Sequence, residues 1–138
     1  MFGGVVTLFN HDEETGEYYP ALFTNVEFQA HYRTSFSDNS TRDGDFCLLI
    51  VKYFKIGEIK RVCGTTKSFM TPKLWQENQN KKDYFTFKEG RDFFVKGDYS
   101  NVENVDYEIF KGSTDGVFFI HGVKDFDDEL SHFEVMGY

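Results

Sequence analysis

The sequence predicts an all-β fold: a small antiparallel barrel or sandwich built from hairpins, with one or two short helices. Three observations carry this reading. Aromatic residues make up 19% of the chain, with 17 Phe and 8 Tyr, while the good helix formers are scarce, with only 2 Ala and 6 Leu. Phe, Tyr, Val and Thr favour strands. Apolar residues recur at every second position in several segments, which is the period of a strand with one buried and one wet face. Turn signals such as Thr15-Gly16, Gly57 and Glu89-Gly90 separate those segments, as in antiparallel sandwiches and barrels.

Taken in order, residues 5–9 read as a strand, the polar tract 11–17 as a hairpin loop, and Tyr18 as the start of the return. Val26, Phe28, Ala30 and Tyr32 then alternate with Glu27, Gln29, His31 and Arg33 in a half-buried strand. The next twelve residues, Thr34-Ser35-Phe36-Ser37-Asp38-Asn39-Ser40-Thr41-Arg42-Asp43-Gly44-Asp45, are polar apart from Phe36 and predict a long mobile loop. Closing such a loop costs only about 2 kcal/mol, so its length does not by itself demand a function.

Residues 46–54 form the strongest strand and depart from simple alternation. Phe46, Leu48, Ile50 and Phe54 share one face, and Cys47, Leu49, Val51 and Tyr53 the other. A strand apolar on both faces needs cover on both, from its own domain or from a neighbouring subunit. Cys47, Leu49, Val51 and Tyr53 are the candidate subunit contact.

Residues 59–62 follow Gly57 as the second arm of a hairpin. Thr71-Pro72 opens a helix of one or two turns with Trp75 as its core anchor. Residues 84–88 and 93–96 read as another hairpin, with Phe85, Phe87, Phe93 and Val95 inward. Residues 101–112 suggest a short amphipathic helix with Val102, Val105 and Ile109 on its apolar side and Gly112 as its stop. A strand at 117–123, an acidic turn at 125–129 and a last strand at 131–136, with Phe133 and Val135 inward, complete the chain.

At 138 residues and 16.2 kDa the chain fits one domain, 1–138, with no linker and no repeat. A net charge of -8 argues against a general nucleic-acid or membrane binder. The start Met1-Phe2-Gly3-Gly4 lacks the pattern of a secretory leader, and the longest apolar run, six residues, is far short of a membrane span. Two cysteines, Cys47 and Cys63, make no disulfide framework, so a reducing, intracellular setting is expected. Catalytic and metal-binding motifs are absent from the sequence, so no enzyme activity, cofactor or metal is expected. The one arrangement with ligating chemistry is His121 and His132 flanking a turn with Asp125, Asp127 and Asp128, for which solvated turn residues are the simpler reading.

The order of several segments resembles a known group of proteins. Val6-Thr7-Leu8-Phe9-Asn10, Tyr19-Pro20, Thr71-Pro72-Lys73-Leu74-Trp75, the run from Phe85 to Gly97 and the ending His132-Phe133-Glu134-Val135-Met136-Gly137 are similar to small structural proteins of phages and prophages of Gram-positive bacteria, of the head-completion or head-closure (stopper) type. The resemblance implies a small barrel-like subunit that forms a ring between the portal or adaptor and the tail. It implies a virion protein at the head-tail junction, present in the host cytoplasm during assembly, that meets packaged DNA only as channel contents. In the stopper type a long loop between two strands points into the channel, and residues 34–45 hold that place in the order. A tail-terminator or minor tail protein would share the fold style, and a monomeric ligand-binding barrel is the reading from a different class.

Overall fold

The computed structural model describes residues 3–31, 46–114, 116–128 and 130–138. Six strands close into an antiparallel barrel: β1 (Gly4–His11), β2 (Tyr18–His31), β3 (Phe46–Ile56), β7 (Phe93–Lys96), β8 (Val117–Phe126) and β9 (His132–Gly137). Around the barrel the order is β1-β7-β8-β9-β3-β2 and back to β1. The all-β expectation is correct, and the architecture is the barrel rather than the sandwich.

Closure depends on two long strands that each serve two neighbours. β2 pairs with β1 as far as Val26 and with β3 from Glu27 onward. At the change of partner Asn25 is an extra residue with φ 56°, a left-handed conformation that asparagine tolerates well. β8 pairs with β7 through Phe119 and with β9 from Ile120, and His121 is the extra residue there. Each bulge bends its strand, turning a sheet that would otherwise stay open into a closed wall.

Phe23, Leu49, Phe94, Phe118, Phe133 and Val135 are among the side chains that fill the interior. A second apolar cluster lies outside the wall, where Phe9, Phe93, Val95 and Val117 are covered by Phe110 and Tyr107 of α2 (Tyr107–Ser113). β7 is therefore buried on both sides, with Phe94 in the barrel and Phe93 and Val95 under the helix. The expected phase of this helix is corrected. Phe110, not Ile109 or Val102, is its buried anchor, and Gly112 lies within it rather than beyond it.

Beyond the barrel, β3 continues into a hairpin with β4 (Ile59–Val62), as expected, followed by β5 (Ser68–Phe69) and β6 (Tyr84–Phe85). The expected hairpin between residues 84–88 and 93–96 does not form. β6 pairs in parallel with β5, while β7 pairs with β1 and β8, because Phe85 and Phe87 are drawn into the barrel core as the chain crosses its end. α1 (Pro72–Glu77) is the expected short helix, and its Trp75 is fully buried and donates to the Tyr84 carbonyl at 3.2 Å.

Gly64 is the tightest backbone position in this extension. It sits at φ +86°, and a Cβ built there would stand 1.9 Å from Thr24 Oγ1. Gly64→Ala is expected to lower the unfolding free energy by about 2 kcal/mol or more, since both the backbone conformation and the contact with β2 must yield. A urea melt at the glycine-to-alanine level checks this; an unchanged midpoint would mean that the turn shifts freely.

Candidate functional site

The two faces of β3 differ in what covers them. Cys47, Leu49, Val51 and Tyr53 point into the barrel and are each 6% exposed or less. The expectation that they form a subunit contact is corrected: the same domain covers them, because ring closure places β2 and β9 on either side of β3 and fills the space between with phenylalanines. Burial pushes the Cys47 thiol up to about 12, so it is an inert core group. Tyr53 is held by its hydroxyl, whose single proton is shared between Asp125 Oδ1 at 2.7 Å and the Phe126 carbonyl at 3.0 Å.

The opposite face of β3 looks outward and remains apolar. Phe46, Phe54 and Ile56 are exposed, the latter two at 51% and 58%, with Leu48 and Ile50 half-buried between them. Ile59, opposite Ile56 in β4, and Met136, opposite Leu48 in β9, widen the stripe. At the rise of an extended strand, eleven residues make it roughly 35 Å long. Its charged neighbours on the same face are Lys52, then Arg61 opposite Phe54, Glu27 and Glu134 on either side of Ile50, and Lys124 opposite Glu134. His132 lies opposite Lys52, and the Leu130 carbonyl that its ring meets, together with Glu134, raises its pKa above the ordinary value.

A buried polar clasp lies where β1 meets the crossing segment 86–92. Asp92 is fully buried; its Oδ2 accepts from Asn10 Nδ2 at 2.7 Å and its Oδ1 from the His11 backbone N–H at 2.9 Å. Asn10 also bonds the Thr86 carbonyl through Nδ2 and the Thr86 N–H through Oδ1. Lys88 donates to the His11 carbonyl at 2.6 Å and lies 3.8 Å from Asp92. Burial dominates over these partners and raises the Asp92 carboxyl to about 7. His11 Nδ1 and Thr86 Oγ1 are buried in the same cluster with no hydrogen-bond partner among the described residues. This clasp was not legible beforehand, because Asn10 and Asp92 are 82 positions apart.

His121 and His132 do not come together. The ladder pairs Phe126 with His132 at one end and Ile120 with Gly137 at the other, so the two imidazoles stand at opposite ends of β8 and β9. His121 packs against Tyr138, Asp125 is engaged by Lys60 and Tyr53, and Asp127 by Lys55. Among the described residues no group of three or more His, Cys, Asp or Glu could hold a metal ion. The expected channel loop, residues 34–45, lies outside the described residues.

Fold and surface together define a closed six-stranded antiparallel barrel with its interior filled by its own aromatics and an apolar stripe left on one outer wall. Its sequence matches the model of a family of unknown function, DUF6751, over residues 4–138, and the chain belongs to that family. No curated protein and no solved structure matches it.

Proposed function

We propose that this protein is a non-enzymatic structural subunit of a phage or prophage virion, a head-completion or stopper-type connector that assembles as a ring between portal or adaptor and tail. The observation that carries the reading is the outer stripe of β3. Isolated exposed apolar residues are ordinary on a soluble domain, whereas Phe54, Ile56 and Ile59 cluster on one hairpin and Phe46 lies on the same face of β3. Fully burying one such side chain contributes about 1.5–3 kcal/mol, so the stripe can drive assembly without any chemistry. The interior disfavours a ligand-binding barrel, since Phe133 meets Tyr53, Phe69 and Phe87 at ring distances of 4.7–5.0 Å and occupies the space a small molecule would take. The order of motifs described above supplies the virion setting, including the host cytoplasm as the place of assembly and no membrane partner.

Particles produced without this protein test the proposal. Filled heads that leak DNA or lack tails are the expected result, tails of uncontrolled length would favour the tail-terminator alternative, and normal particles would overturn the virion role. A finer check uses Phe54→Ser with Ile56→Ser. Folding stability should change by no more than about 0.5 kcal/mol per site, since both side chains are exposed. Incorporation into particles should nevertheless be lost, as read by quantitative mass spectrometry of purified virions.

A further inference from the structure

We propose that copies of this chain associate head to tail, the α2 face of one copy seating on the outer β3 face of the next. In the closed order β1-β7-β8-β9-β3-β2, β7 and β3 stand on opposite sides of the barrel. α2 covers the β7 side, so its outer surface and the β3 stripe point in opposite directions.

Each of these two walls carries apolar residues that its own domain leaves uncovered. On the helix side they are Val102 and Ile109, the latter 66% exposed; on the strand side they are Phe54, Ile56 and Ile59. The charges are complementary. Residues 98–111 hold Asp98, Glu103, Asp106 and Glu108 against a single Lys111. The β3 side holds Lys52, Arg61 and Lys124 against Glu27, Glu134 and Glu58 of the hairpin tip, so it is far less acidic than the helix side in a chain whose net charge is -8. Because the net charge repels one copy from another, association requires such local pairing of opposite fields.

Two different patches on opposite walls make a heterologous contact. Every copy then uses each patch once, and the series closes into a ring when the rotation per step permits, or runs on as a filament when it does not. A two-fold contact of β3 on β3 would instead leave the α2 side unused and end at a dimer. The inference rests on reading the β3 face as the assembly surface and names what covers it.

Sedimentation of the purified full chain and two variants tests it. The β3-side variant carries Arg61→Glu with Lys124→Glu; the α2-side variant carries Glu103→Lys with Glu108→Lys. Wild type at about 1 mM should sediment above the monomer and shift back toward it as salt is raised. Each variant alone should associate about tenfold or more weakly. When the variants are mixed at equal amounts, the two intact faces are complementary, and so are the two reversed faces, which now carry opposite signs to each other. The mixture should therefore recover association as an alternating series, with species larger than a dimer. Phe54→Ser, which removes apolar surface without touching charge, should also weaken association, with circular dichroism confirming the fold of every variant.

A wild type that stays monomeric overturns the inference, and so does an α2-side variant that still associates like wild type. Monomeric wild type combined with tail-less particles in its absence would remove this contact and leave the virion role. Association restored on mixing the two variants, combined with normal particles, would do the reverse.

Discussion

Phe133→Ala is expected to lower the unfolding free energy by about 3–5 kcal/mol. Phe133 is fully buried on β9 and touches Tyr53 of β3, Phe69 of β5 and Phe87 of the crossing segment, so one ring ties the barrel wall to the extension beyond it. The cost should lie toward the upper end of that range, because a closed barrel cannot collapse around a lost ring as an open sheet can. β9 is bonded to β3 on one side and β8 on the other, which limits inward movement of the backbone. Urea unfolding should show a lower midpoint with an unchanged slope. Phe54→Ala is the internal control: the same chemical change on the outer face of β3 should cost about 0.5 kcal/mol or less. A loss below about 1 kcal/mol for Phe133→Ala would mean that the aromatic cluster repacks and that the barrel is less rigid than its pairing suggests.

Much of this architecture was legible in the order of residues. The hairpin at Thr15-Gly16 appears where expected, with Gly16 at φ 78° and the return strand beginning at Tyr18. Phe133 and Val135 face inward as their alternation implies, and Thr71-Pro72 does open a helix anchored by Trp75. These are local features, set by period, turn chemistry and helix starts, and local rules can read them.

What failed was non-local. Phe46 through Tyr53 looked like a strand with a surplus apolar face, and it has one, but alternation alone cannot say which face closes on the core. The partners of β3 settle that, and they come from residues 27–31 and 132–137. The same limit explains the missed phase of α2. Val105 and Ile109 suggested an apolar side, but the helix is positioned by distant strands, Phe119 stacking on Tyr107 and Phe93 meeting it edge-on, which leaves Ile109 in solvent. The clasp at Asp92 carries no local signature at all. Its only sequence hint is a charged residue set directly before the apolar run Phe93-Phe94-Val95, where burial was to be expected for its neighbours.

That clasp yields the second large effect. Burial raises the Asp92 carboxyl to about 7 from an ordinary value of 3.8. A carboxyl whose folded pKa is raised contributes stability that is fully present below its unfolded pKa and is lost as pH rises through the folded one. Asp92 should therefore favour the fold at about pH 5 and cease to do so by about pH 8, a change of about 2–3 kcal/mol. His11 works in the opposite sense: burial lowers its pKa, so its contribution is present above its ordinary value of 6.5 and is lost as pH falls.

The difference between wild type and Asp92→Asn separates the two, because His11 is common to both proteins. Asp92→Asn should be more destabilising at about pH 5 than at about pH 8, by about 2–3 kcal/mol, as read from paired urea melts. The neutral carboxyl is a donor as well as an acceptor, whereas an ionised Asp92 can only accept. Glu13 opposes ionisation and Lys88 favours it, so Lys88→Met should move the midpoint of the Asp92 carboxyl resonance further up in a 13C titration. A wild-type midpoint in the ordinary carboxylate range, or a difference from Asp92→Asn that grows with pH, would show that Asn10, the His11 N–H and Lys88 outweigh burial. The clasp would then be a fixed ionic contact rather than a group that takes up a proton near neutrality.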